Sequence, residues 1–166
     1  MIKRKLRRKY ANFGISRGIA VGLFLSMLLM VLMLWQGFGY IVLIFAIPVA
    51  ILLVICGFVG YLIYNLKYNR INKRINSLEE ISGNIDNDKF EHIAMEMSIG
   101  KRWLVYHKGL DYRFWTKETL GDVKKVGDNQ LEIWDYHSSQ KTILKVSTNL
   151  DLQDVLTQWK QAEQVN

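Results

Sequence analysis

Three histidines, one cysteine and a scatter of serines are the side chains here that could serve as nucleophile, acid–base group or metal ligand. His92, His107 and His137 are isolated, and no pair has ligand spacing. Cys56 lies in an apolar run and, as the one cysteine, cannot close an intramolecular disulfide; it reads as a small packing residue. The serines fall in turns, linkers or the first apolar run, and none occupies a nucleophile motif. No glycine-rich loop leads into a helix with a phosphate-binding lysine. The acids are scattered and mostly matched by nearby bases. The expectation is a protein that is not an enzyme and uses neither metal nor cofactor.

The chemistry that remains is that of charge and apolar surface. Residues 18–66 run for 49 positions without Asp, Glu, Lys or Arg. As straight helix this stretch would reach roughly 70 Å at about 1.5 Å per residue. A bilayer core is about 30 Å thick, so two crossings and a turn fit. The expected first helix covers residues 15–35 and the second residues 40–64, joined by a turn at Gln36-Gly37-Phe38-Gly39. The first run is too long for a signal core and shows no small-x-small cleavage site, so it is expected to stay uncleaved. Pro48 is expected to kink the second helix.

Charge orients the pair. The net charge of +7 sits wholly in residues 1–17, where Lys3, Arg4, Lys5, Arg7, Arg8, Lys9 and Arg17 face no acid. Residues 67–166 carry fifteen positives and fifteen negatives. Lys67, Arg70, Lys73 and Arg74 follow the second helix, and the turn is uncharged. The positive-inside rule then places both termini in the cytoplasm of a multi-pass cell-membrane protein, with Trp35 and Tyr40 at the opposite interface. A basic arm explained by topology and anionic lipid gives no reason to expect nucleic acid. Gly14, Gly18, Gly22 and Ser26 recur every four residues, and Ala46 and Ala50 stand in the second helix. Such a stripe lets helix backbones approach closely. It serves packing within the hairpin or, alternatively, self-association or docking on a larger membrane protein.

Beyond the hairpin, residues 65–89 read as a linker helix, with Ile71, Ile75, Leu78 and Ile85 on a near-heptad stripe broken by Ser82. The stripe is expected to pack on the following domain. Gly83 and the Asn84–Asp88 cluster end the helix. The remainder alternates as short strands with hairpin turns at residues 91–99, 102–107, 112–116, 131–136 and 141–147, with residues 120–126 as a connecting piece. In residues 91–99, Ile93, Met95, Met97 and Ile99 share one side. Thr148 or Asn149 can cap a final helix, whose apolar face is Leu152, Val155, Leu156 and Trp159. The chain thus divides into an arm (1–14), a hairpin (15–64), a linker helix (65–89) and a domain (90–166).

The block Gly100-Lys-Arg-Trp-Leu-Val-Tyr, then Arg113-Phe-Trp-Thr-Lys-Glu-Thr-Leu-Gly-Asp-Val, then Leu131-Glu-Ile-Trp-Asp-Tyr and a terminal helix resembles bacterial pleckstrin-homology-like domains. Several such families carry this domain after a transmembrane hairpin. The resemblance implies a seven-stranded antiparallel sheet closed by the C-terminal helix. The expected fold is a membrane α-hairpin of two transmembrane helices plus a small α+β domain. Five or six strands are countable, which leaves a first strand or two missing or supplied by the linker region.

Most of the domain's aromatics must be core. Strand alternation leaves Trp115 or Trp134 to face outward, and with Arg113 these are the candidate partner-binding residues. The expected function is to tether a small protein-binding domain to the cytosolic membrane face, with the bilayer and another membrane or membrane-associated protein as partners. An immunity or phage-exclusion protein that blocks a toxin or channel through its hairpin is the alternative. An accessory subunit of a transporter or enzyme complex comes third. Lipid binding by the domain itself is disfavoured, because residues 75–166 hold eleven positives against fifteen negatives.

Overall fold

The computed structural model describes residues 2–35, 46–147 and 151–162. It divides the chain into two compact units, Met1–Asn72 and Lys73–Asn166. The expected turn at residues 36–39, Tyr40, and the caps Thr148 and Asn149 lie outside the described residues.

The first unit is built on α1 (Ile2–Trp35) and the first part of α2 (Ala46–Ser82). Both helices are longer than expected, at 34 and 37 residues. The basic arm is the beginning of α1, not a separate segment. Arg, Lys, Leu and Ala are strong helix formers, and no proline interrupts them. Likewise the linker helix is the continuation of α2. Pro48 lies near the beginning of α2 as described, and the residues before Ala46 lie outside the described residues. Each helix is long and apolar enough to cross a membrane. The most apolar stretch of each is almost wholly exposed, with only 17% and 6% of its residues buried.

The second unit opens with the tail of α2. Gly83, at φ +81°, ends the helix, and its N–H returns to Glu79 O at 2.9 Å. Only glycine enters this left-handed region without strain. A single 3₁₀ turn (Ile85–Asn87) follows, capped by the Asn84 side chain accepting from Asp86 N–H. Seven antiparallel strands come next: β1 (Glu91–Ala94), β2 (Met97–Ile99), β3 (Trp103–Lys108), β4 (Asp111–Thr116), β5 (Leu120–Gly127), β6 (Gln130–Asp135) and β7 (Gln140–Lys145). They form two meanders, β1-β2-β3-β4 and β5-β6-β7. α3 (Leu152–Gln161) completes the unit.

The strand count exceeds the countable five or six for two reasons. Residues 91–99 fold as a hairpin with its turn at Met95-Glu96, so Met95 stands 82% exposed at the tip and Met97 is buried, not on one shared side. Residues 120–127 form a full strand, in which Lys124 and Lys125, on opposite faces, are both exposed and hide the alternation. No strand comes from the linker region, which is helical.

One core joins the two sheets. Met97, Leu104, Tyr106 and Trp115 from the first meet Leu120, Leu131, Ile133 and Leu144 from the second, and Leu152 and Leu156 of α3 close it. The opposite faces of β3 and β4 are buried too, through Trp103, Val105 and Phe114. Ile75, Leu78, Ser82 and Ile85 are all buried as well, so the linker stripe is consumed inside the unit.

Candidate binding surface

The glycine stripe of α1 is occupied by α2. A Cβ on Gly14 would lie 2.6 Å from Gly60 O, one on Gly18 2.1 Å from Cys56 O, and one on Gly22 2.9 Å from Leu53 Cδ2. At Gly14 and Gly18 main chain meets main chain, and a side chain there would push the helices apart, whereas Gly22 faces the Leu53 side chain. Ser26 is buried and donates to Gly22 O at 2.8 Å, closing its hydroxyl onto its own helix. The α2 partners are Cys56 and Gly60, four residues apart. Ala50, expected in this role, is exposed, and the Ala46 side chain lies outside the described residues. The signal was in the sequence: Cys56 and Gly60 form the same small-residue spacing as Gly14 and Gly18.

Of the residues expected at membrane interfaces, Arg4, Lys5, Arg7, Arg8, Lys9, Arg17, Lys67, Arg70 and Lys73 are exposed, and Trp35 is 86% exposed. Lys3 is half-buried. Arg17 lies over the Phe13 ring at 4.7 Å and Lys67 over Tyr64 at 5.0 Å; Phe13 and Tyr64 themselves meet edge-on. Arg74 departs from this group. It pairs with the buried carboxylate of Asp135, which also accepts from the N–H groups of His137 and Ser138. A buried carboxylate needs such a counter-charge, so Arg74 anchors the α2 tail to the end of β6.

Other polar bonds hold the unit together. Ser82 Oγ donates to Glu118, and Arg102 Nη1 donates to Ser82 O at 3.4 Å. Burial works against ionisation of Glu118, but hydrogen bonds from Ser82 and its own backbone, aided by Arg102, hold its carboxyl below the ordinary range. Glu96 accepts from Ser147 Oγ and from Ser147 N–H (3.2 Å). These bonds, the hydroxyl one foremost, outweigh burial and also hold its carboxyl below the ordinary range. Burial and the nearby Glu96 charge push the Tyr106 hydroxyl upward.

Pairing of β1 with β2 brings His92 Nδ1 within 2.8 Å of Ser98 Oγ, a contact across a hairpin that the spacing of the histidines did not suggest. Ser98 is buried, and among the described residues no carboxylate hydrogen-bonds the other ring nitrogen of His92. Among the described residues no group of three or more His, Cys, Asp and Glu could hold a metal ion.

Ile81 of α2 and Met95 at the β1–β2 tip are exposed singly, while an aromatic and aliphatic group lies on the outer face of the β5-β6-β7 sheet. Trp134 is half-buried there, with Gly121 beneath it so closely that a Cβ would lie 2.5 Å from its Cδ1. Lys141 pairs with Glu132 at 2.9 Å and stands 6.0 Å over the Trp134 ring. Ile143, cross-strand from Glu132, is 58% exposed. Just past β6, Tyr136 is 55% exposed, with Lys160 of α3 at 5.4 Å over its ring. Lys160 also donates to Gly121 O at 3.3 Å. Beside this face a groove of about 410 Å³ runs between β5 and α3, lined by Leu120, Asp122, Val123, Leu156, Thr157 and Lys160.

Of the three candidate partner-binding residues, Trp134 belongs to this surface. Trp115 does not face outward: it is fully buried in the core, because the second sheet and α3 cover its side of β4. Arg113 lies on β4 of the first sheet and reaches Asp111 at 3.3 Å, so it does not join Trp134. Tyr136, Ile143, Lys141 and Lys160 complete the surface instead. Comparison with protein-family models, with curated proteins and with solved structures gives no match.

Proposed function

We propose that the chain is a non-enzymatic membrane protein in which a two-helix transmembrane hairpin holds a small protein-binding domain at the cytosolic face. The domain is read as pleckstrin-homology-like, a reading supported by seven antiparallel strands in two meanders and the helix that closes their core. The observation that carries the proposal is where exposed apolar surface lies. Most of it clothes the two long helices, as a lipid-facing pair requires, and a compact aromatic, aliphatic and cationic patch marks the β5-β6-β7 face. Trp134 and Tyr136, with lysines over their rings, are the residue types that anchor interfaces. Anchoring at the membrane raises the effective concentration of the domain toward a partner held there.

The alternative in which the hairpin blocks a toxin or channel through its glycine stripe loses its free surface, since that stripe is filled by α2. The test is affinity purification of the full chain in mild detergent beside a residue 67–166 fragment and beside Trp134→Ala. Recovery of one partner by chain and fragment, and its loss with Trp134→Ala, is the expected result. Recovery by the full chain alone, insensitive to Trp134, would move the function into the hairpin.

A further inference from the structure

We propose that the groove between β5 and α3 receives an extended acidic peptide segment, added as a further strand on the free edge of β5, with a carboxylate of the segment on Lys160. This deepens the protein-binding reading above and rests on it. β5 is an outer strand of its sheet, so half of its backbone groups face away from β6. Lys125 fixes which half: its N–H donates to Gln153 Oε1 of α3 at 3.1 Å. Pairing with β6 is regular through Val123, Lys124 and Lys125. Val123, two residues before Lys125, therefore turns its N–H and C=O the same way, into the groove.

Proteins blunt such edges, because an exposed row of backbone groups is a template for another strand. Here α3 blunts β5 with side chains: Gln153 on the Lys125 N–H and Lys160 on the Gly121 carbonyl. Both side chains are flexible, and an incoming backbone can take their places one bond for one. Lys160 is a cation held by a neutral carbonyl at 3.3 Å, so a carboxylate is the stronger partner. Lys124 and Lys125 add positive charge along the strand, against Asp122 in the lining. Half-buried Val123 and the methylene stem of Lys160 provide apolar contact for the segment.

The test pans the full chain in detergent against a random dodecapeptide library, in parallel with Lys160→Glu and Val123→Pro. Wild type is expected to enrich peptides with an Asp or Glu flanked by alternating apolar residues. Lys160→Glu is expected to enrich Lys or Arg at the same place. Val123→Pro removes an outward N–H and leaves the β6 ladder intact, and should weaken the selected peptide about tenfold. In wild type, that peptide should slow hydrogen exchange of the Val123 amide about tenfold, a readout independent of whether the proline variant folds. No enrichment, a preference unchanged by Lys160→Glu, or an unaltered Val123 amide overturns the proposal. If partner capture still depends on Trp134 in that case, the tethered-domain reading stands without it. Failure of partner capture alongside charge-swapped peptide selection sinks the tethered reading only.

Discussion

Trp115 and Trp134 lie on neighbouring meanders and are opposite in kind. Trp115 is sealed in the core, and Trp134 is a half-buried surface ring leaning on Gly121. Truncation of a core tryptophan typically costs about 3–5 kcal/mol, so Trp115→Ala should unfold or nearly unfold the second unit, while Trp134→Ala should cost about 1 kcal/mol. Thermal melts of the full chain in detergent, followed by far-ultraviolet circular dichroism, separate the two. Glu96 gives a pH signature. Its carboxyl titrates lower in the folded chain than in the unfolded one, so the unfolded state binds the proton more readily. Its contribution is complete above the unfolded value of about 4.3 and is lost as pH falls through the lower folded value. Glu96→Gln should flatten the stability profile below about pH 4, with little change in its shape at neutral pH. An unchanged acid limb in the variant would show that Ser147 does not hold the carboxylate.

The helix pair depends on a few backbone contacts. A methyl on Gly18 would meet the Cys56 carbonyl at 2.1 Å, and a methyl on Gly57 would meet Ile19 at an ordinary 3.5 Å. Gly18→Ala should destabilise the pair by about 1–3 kcal/mol, and Gly57→Ala should be neutral or slightly stabilising, since alanine also favours helix. Thermal stability in detergent checks both; equal effects would mean that the helices are not packed at this seam. The α1 half of the seam was legible because glycine every four residues has few other uses in an apolar helix. The α2 half was obscured, since alanines drew attention from Cys56 and Gly60. In the second unit, the end of α2 at Gly83, the β3–β4 hairpin and the face of α3 were all legible from turn residues and period. β5 was not, because an edge strand with exposed lysines on both faces carries no alternating signature. Trp115 was misplaced for a related reason: alternation assigns faces, but a strand covered on both sides has no outward face to assign. Tyr136, Ile143 and Lys160 escaped notice because the surface they share is assembled from β6, β7 and α3.

Charge divides between the two units. The first holds Lys3, Arg4, Lys5, Arg7, Arg8, Lys9, Arg17, Lys67 and Arg70 and no acid, and the second contains every acid in the chain. With the membrane reading above, this division predicts that tags at both termini are digested by protease only after the cytosolic side is opened. Digestion of either tag from the outside would refute that topology.

The bond between Glu96 and Ser147 spans 51 residues, while each strand pair joins neighbours in the chain. Local hairpins close early and distant contacts late, and a chain leaving the ribosome meets them in that order. A chain that ends at residue 146 would therefore possess all seven strand segments but neither the serine that donates to Glu96 nor the helix that seals the core. A released chain that lacks α3 would leave the edge of β5 without Gln153 and Lys160. α3 thus acts as the chain's own protection against pairing with a neighbouring copy, and deletion of α3 should yield aggregates seeded by that strand.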